Sequence, residues 1–318
     1  MNLAYILETA LAGLVLGVAA WTILARNAFA ASVGFVSYGL LLALVWVLLG
    51  AIDVALTEVA IGSGLTGLLL LSAAARLRGT ESQAGAGPGK PARVLVALCC
   101  ATISAALAFV VLSLPEAAPT LAPDAVAALP ATGVGNPVTG VLMAFRALDT
   151  LLEKAVLVLA LVGVWSLAPD GYWGERPDLR LRLADDSVLP FFARTLPPLG
   201  VLLGIHLMWT GADAPGGAFQ GGTVLAAMWL IVMLAGLRDA PASNALWMRI
   251  GLISGPMVFL AVGFIGLLTA GAFLAYPVDY AKPLILLIEV PMLLTIALAL
   301  GLLVAGPAGP PGSAGGTR

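Results

Sequence analysis

The stretch "WTGADAPGGAFQGGTVLAAMWL" (Trp209–Leu230) decides how this sequence folds. Apolar sequence flanks a core with five glycines, one proline and one aspartate. In lipid every backbone N–H and C=O must find its partner within the protein, so a helix broken here needs a structural cause. The stretch reads as a hairpin. One helix ends near Gly211, "GADAPGG" turns, and Pro215 pre-sets the first turn of the next helix. Gly217 and Gly221 form a small-xxx-small pair, as do Ala218 and Gly222, and bare backbone on that face, with Gly216 beside it, lets another helix approach closely. Asp213 suits the positive end of the new helix dipole.

Working outward, the hairpin sits in a chain of 318 residues that is 61% hydrophobic and only 10% charged. Soluble domains are about a quarter charged. Apolar runs of about 20 residues, the thickness of a bilayer core, recur along most of the length. They are solid rather than alternating, which favours helices over a barrel. The expected fold class is an all-α polytopic membrane protein with about nine transmembrane helices. They lie near 2–24, 30–51, 54–75, 94–113, 146–168, 190–210, 218–237, 250–272 and 283–305. The first run lacks a basic leader and an Ala-x-Ala end, so it is expected to stay as a span.

Basic residues orient the chain. With the N-terminus outside, Arg26, Arg76, Arg78, Lys90, Arg93, Arg176, Arg180, Arg182, Arg194, Arg238, Arg249 and Arg318 all fall on the cytoplasmic side. Only Lys282 falls outside, and Arg146 and Lys154 lie at the membrane. The prediction is N-out, C-in. A Gly/Ala/Pro-rich tether, "RGTESQAGAGPGKPAR", and a charged loop, "PDGYWGERPDLRLRLADDS", divide the spans as 3 + 2 + 4. The units run 1–78, 94–170 and 190–305, with a linker at 79–93, a cytoplasmic loop at 171–189 and a disordered tail at 306–318. Leu114 to Pro137 is a proline-rich outer segment without a basic residue.

Ionisable side chains in transmembrane spans are costly and so are functional candidates. Asp53 and Glu58 stand at the entrance of the third span. They are about 140° apart on an ideal helix, so they need not share a site, and hydration at the span entrance is the alternative. Arg146, Asp149 and Glu153 share one face of the fifth span. Asp149 and Glu153 are like charges one turn apart, which a cation or proton must relieve. Arg146 pairs with Asp149, and Lys154 reaches towards neighbours on an adjoining helix. An inert ion-pair cluster that fixes assembly is the competing reading. His206 and Asp213 flank Trp209 and Thr210. The histidine reads as an interfacial or packing residue, with proton carriage as the alternative. Lys282 reads as a snorkelling residue. Glu289 lies deeper on the same face, and Pro291 frees the Leu287 carbonyl nearby. Cys99 and Cys100 are adjacent and apolar in setting, so neither a disulfide framework nor a metal site is expected.

Three motifs carry a family resemblance. "GADAPGGAFQGG" resembles the B-subunit hairpin of Mrp-type multisubunit cation/proton antiporters, Gly-His-x-x-Pro-Gly-Gly-Gly-Phe-x-Gly-Gly, through Gly211, Pro215, Gly216, Gly217, Phe219, Gly221 and Gly222. The family's histidine is Ala212 here and its third glycine is Ala218. "LIEVP", with Glu289, is similar to the family's Phe-Asp-x-Gly-Val segment. "DVALTEVAIGSGLTGLLLL" resembles the tail of the large A subunit, which is the separate MbhD subunit in membrane-bound hydrogenases. "NPVTGVLMAFRALDTLLEKAVL" resembles the next unit, MbhE, through Asn136, Val138, Thr139, Phe145, Arg146, Asp149, Thr150 and Glu153. In that scheme the four-span unit corresponds to MbhF.

The resemblance implies a subunit of a sodium- or other monovalent-cation/proton antiporter in the cell (inner) membrane. Its partners would be large antiporter-like subunits and the other chains of such a complex, with Na+ and H+ as cargo and no nucleic acid. It implies no cofactor and no enzyme activity on this chain. Asp53, Glu58, Asp149, Glu153 and Glu289 would form part of an ion path, with Arg146 and Lys154 as basic partners and the hairpin glycines as packing contacts. The same module in a redox-driven complex, with redox centres on its partners, is the alternative. A purely structural adaptor is a third reading.

Overall fold

The computed structural model describes residues 3–77, 89–115, 120–177, 179 and 188–309. Most of the linker, much of the charged loop and most of the C-terminal tail anticipated above lie outside the described residues. The described residues are helical throughout, without a strand. In order they form α1 (Leu3–Leu24), α2 (Ala28–Leu48), α3 (Ile52–Thr57), a π-helical segment (Glu58–Leu65), α4 (Thr66–Leu77) and α5 (Lys90–Ser113). After these come α6 (Ala122–Ala128), α7 (Pro137–Gly140), a second π segment (Val141–Phe145), α8 (Ala147–Trp165), α9 (Leu189–Thr210), α10 (Ala218–Leu234), α11 (Leu246–Thr269) and α12 (Ala281–Ala305).

All nine apolar runs are helical, so the chain is an all-α multi-pass membrane protein. Among the described residues seven helices are long and apolar enough to cross a membrane, or eight if one bent pair counts as a span. The two runs that fall short of that measure are α8, which carries Asp149, Glu153 and Lys154, and α10, which has 17 residues.

The bent pair has no counterpart in the sequence reading. Ala122–Thr132, inside the proline-rich segment, meets Pro137–Phe145, which follows it, at 88°, so that segment holds a helix. Asn136 starts the second arm by accepting the Val138 N–H at 2.9 Å, as an N-cap should. The fifth span then breaks at Arg146, whose backbone is non-helical (φ −129°, ψ 36°). The break is chemically closed, because the Thr150 hydroxyl donates to the Leu142 carbonyl eight residues back.

The core centres on α12. Its face towards every side is apolar, the pattern of a helix surrounded by protein, and about two-thirds of its span is buried. α10 and α11 pack along it, and α9 packs on α10. The α9–α10 contact depends on glycine. A Cβ on Gly204 would stand 2.9 Å from the Gly221 carbonyl oxygen, and one on Gly222 would stand 2.8 Å from Ile296 Cβ of α12. By contrast α5 and the span window of α1 bury nothing inside this chain.

One end of the bundle gathers the α9–α10 turn, the starts of α3 and α12, and the Gly135–Thr139 segment. The other end ties the loop after α8 to the α10–α11 turn, through Arg176–Asp239 and a Ser243 N–H donated to the Glu175 carbonyl.

Candidate functional site

The hairpin end is a knot of fully used polar groups. Gly216 and Gly217 have φ of 152° and 121°, a region that side-chain-bearing residues rarely adopt. This folds the turn back so that the Gly217 N–H reaches the Leu207 carbonyl at 2.8 Å. Gly217 is the N-cap of α10, and Pro215 lies in the turn before it rather than in the helix's first turn. The Gly216 N–H is satisfied from far along the chain, by Asp53 Oδ1 at 2.9 Å. Asn136 Nδ2 donates to the Ala214 carbonyl at 3.0 Å, to the Gly211 carbonyl at 3.2 Å and to Asp53 Oδ2 at 3.4 Å. The Thr139 hydroxyl donates to the Gly211 carbonyl at 2.6 Å. The Gly135 and Asn136 N–H groups both donate to the Ala212 carbonyl. Above the knot, Lys282 Nζ lies 2.7 Å from both Asp213 oxygens. That hydrogen bond holds the Asp213 carboxyl below its usual range, so Asp213 stays ionised. Tyr276 donates to the Met143 carbonyl at 2.8 Å, and burial pushes its phenol above the usual range, keeping the proton that makes this bond.

Beneath the knot lies a cavity of about 180 Å³, bordered by Thr57, Thr139, Lys154, Gly217, Gln220 and Glu289 among others. Its polar groups are not fully used. Glu289 is 4% exposed. Its Oε1 accepts a long 3.4 Å hydrogen bond from the Ala218 N–H, at the start of α10. Its Oε2 is buried with no hydrogen-bond partner. Lys154 is 3% exposed, and its ammonium meets Glu153 Oε1 at 2.7 Å and lies 4.6 Å from the centre of the Phe219 ring. A cation over an aromatic face in a low-dielectric setting is held there, at a cost in desolvation that one carboxylate only partly offsets. Gln220 Nε2 donates to the Thr57 hydroxyl at 3.2 Å, which links α3 to α10 at the cavity. Oxygen donors, a carboxylate without a full set of partners and a displaceable ammonium can together accept a proton or a small monovalent cation. Among the described residues no three His, Cys, Asp or Glu side chains are grouped to hold a resident metal.

Comparison with known proteins places these elements. The family model MbhD, which stands for the D subunit of MBH, matches residues 13–79. A model for a domain related to the MnhB subunit of Na+/H+ antiporter matches residues 188–308. The first part of the chain is thus similar to MbhD and the last part to the MnhB-related domain. The Mrp complex from Dietzia sp. DQ12-45-1b contains a chain of similar fold, with TM-score 0.73 and 24% identity, over 94% of this chain and 34% of that one. A chain of the membrane-bound sulfane sulfur reductase, an archaeal respiratory membrane complex, aligns with TM-score 0.56 and 25% identity, over 67% of this chain and 96% of that one. An uncharacterized protein of Methanocaldococcus jannaschii is 28% identical over 155 residues, 44% of this chain. The chain spans 58% of the length of that relative.

The residues singled out from the sequence fall in separate places. Asp53, in the segment similar to MbhD, is buried and belongs to the knot. Glu58 stands at the start of the first π segment, its carboxylate beside Gly39 of α2 and Gly62, and it does not border the cavity. The buried Ser63 hydroxyl next to it has no partner. Asp149 pairs with Arg146 on the exposed face of α8. Glu153, 53% exposed, stands at the cavity rim. Glu289, in the segment similar to the MnhB-related domain, is inside. His206 is exposed on α9 and joins neither group. Sequence reasoning missed Thr57, Asn136 and Gln220 as site residues. The available signal was an uncharged amide or hydroxyl in an apolar run, which in a membrane must find an internal partner.

Proposed function

We propose that this chain is a membrane subunit of a multisubunit monovalent-cation (Na+)/proton antiporter, supplying part of the ion path and contacts between antiporter-like subunits. It sits in the cell membrane with nine passes, N-terminus outside, and the hairpin end faces out. The carrying observation is Glu289: a carboxylate deep in the protein, one oxygen unpaired, sharing a cavity with a buried lysine where all three units meet. An ionisable group so placed is costly to keep, which makes it the first candidate for holding a proton or a cation. The MnhB-related match supports the antiporter setting. The unburied faces of α1 and α5 are where partner subunits or lipid lie.

The test is Glu289→Gln in the assembled complex. Complex yield should hold, and cation-driven proton flux in vesicles should drop by about tenfold or more, the weight of one charge-assisted interaction. Normal flux from an assembled variant defeats the path role and leaves the adaptor reading. Sidedness is tested by cysteines at Ala214 and Pro241, which should label from opposite faces, Ala214 from outside. A redox-driven setting is the second reading, supported by the MbhD match and the sulfane sulfur reductase alignment. Flavin or iron–sulfur absorbance in the purified native complex would select it.

A further inference from the structure

A second cavity lies at the hairpin end. It measures about 290 Å³ and is bordered by Gly50 to Val54, Gly135 to Val138 and Asp213 to Pro215. Most of these residues are exposed, so it opens to the surface as a vestibule. Only one layer of protein parts it from the Glu289 cavity. Val138 borders both spaces, Asp53 borders the vestibule, and Gly216, which Asp53 holds, borders the inner cavity.

We infer that the Asp53–Gly216 contact is a latch between the vestibule and the Glu289 cavity, and that a monovalent cation or proton reaches Glu289 through it. This rests on the ion-path reading of Glu289. Three observations converge. Asp53 is 8% exposed, yet the partners of its carboxylate are a backbone N–H and an amide, with no ammonium or guanidinium among them. A carboxylate so held keeps its affinity for a cation arriving in the vestibule, and that cation competes with Gly216 for the same oxygen. Gly216 and Gly217 carry no side chains, so opening this contact displaces backbone alone on the turn side. Behind the latch a line of polar groups continues inward: Thr57 Oγ1 donates to the Asp53 carbonyl at 3.0 Å, the Gln220 amide spans Thr57 and that same carbonyl, and Gln220 Oε1 and Glu289 Oε1 both lie beside Gly217, 3.3 and 3.5 Å from where its Cβ would stand. Asp53 is thus a positioning residue that controls access, rather than the carrier.

Access is measured directly by silver ion, a thiol-reactive monovalent cation. Cys99 and Cys100 are replaced by Ser, and Met292→Cys places one thiol on the inner cavity. Pro215→Cys, on the vestibule, is the control. In assembled complexes in sealed right-side-out vesicles, Asp53→Ala should raise the silver reaction rate at Met292→Cys by about tenfold or more, the effect of removing one charge-assisted hydrogen bond from an opening equilibrium. The Pro215→Cys rate should not change. If Asp53→Ala does not assemble, Val138→Ala thins the same wall without touching the hydrogen bonds and should raise the inner rate in the same direction. An unchanged inner rate in the assembled variant overturns the latch, as does reaction of Met292→Cys only from the opposite face. Failure of the latch is separable from failure of the path: Glu289→Gln reads flux, whereas silver reads access with Glu289 intact.

Discussion

The knot and the cavity lie a few residues apart along α3 and α10, yet they use buried polar groups in opposite ways. In the knot, Asp53, Asn136, Thr139 and the turn carbonyls each meet a partner, so the start of α3, the Asn136–Thr139 segment and the α9–α10 turn are tied together. In the cavity, Glu289 keeps an empty oxygen and Lys154 leans on a half-exposed glutamate. A satisfied network rigidifies, whereas an unsatisfied buried carboxylate stores the free energy of its missing partner. The comparison teaches that the hairpin end spends its polar groups on tying elements together, whereas the adjacent cavity keeps a carboxylate oxygen unmet.

The harshest way to break this frame is Gly221→Leu. Its side chain would meet the Gly204 carbonyl and Leu293, so α9, α10 and α12 must part. Overpacking against backbone costs about 3 kcal/mol or more, and the expected result is no recoverable complex on size-exclusion chromatography. A normal elution profile would show that helix approach is not what the glycines serve.

Lys154→Met separates the regions more finely. Methionine can fill the space over Phe219, so the knot and the fold should survive. Transport should fall by about tenfold, because the ammonium facing the cavity is gone. Flux at the wild-type level from a well-assembled Lys154→Met complex removes the lysine from the path. Glu153→Gln keeps a hydrogen-bond acceptor for Lys154 at the rim, so its flux loss should be smaller, about threefold. A larger loss than Lys154→Met shows would move the reactive group from the interior to the rim.

Asp149→Asn probes the outer face of α8. The Arg146–Asp149 pair is exposed within this chain. Exposed pairs contribute about 0.2–1 kcal/mol, so the chain's own thermal stability should barely move. A loss of partner subunits on purification would instead mark this face as an assembly contact.

The smallest effect belongs to Asp213→Asn. Its carboxyl is lowered chiefly by the Lys282 hydrogen bond, so the folded-state value lies below the unfolded one. That contribution is present above about pH 4 and is lost as pH falls through the depressed value. More than half of the side chain is exposed, and solvent screening keeps the gain to a few tenths of a kcal/mol. Wild type should melt slightly higher than Asp213→Asn at pH 7, and the two should coincide in acid. A gap that persists at low pH would assign Asp213 a role independent of its charge.

The sequence by itself determined the solvent and the helices. Solid apolar runs without alternation must satisfy their backbones internally, and nine of them became helices. It also determined the hairpin, because consecutive glycines after a proline permit backbone that other residues reject. It did not show the 88° bend before α8, since proline-rich sequence permits both loops and short helices. Nor did it show which of Glu153 and Lys154 turns inward. Neighbours on a helix point about 100° apart, and the charges of α8 are confined to its first two turns, so no polar stripe runs along the helix to mark the buried face. Only the tertiary structure could put Asp53 on the Gly216 N–H, because that hydrogen bond joins residues 163 apart. It alone left Glu289 without a second partner, because burial and pairing depend on what α10 and α8 bring alongside α12, and no local pattern encodes that.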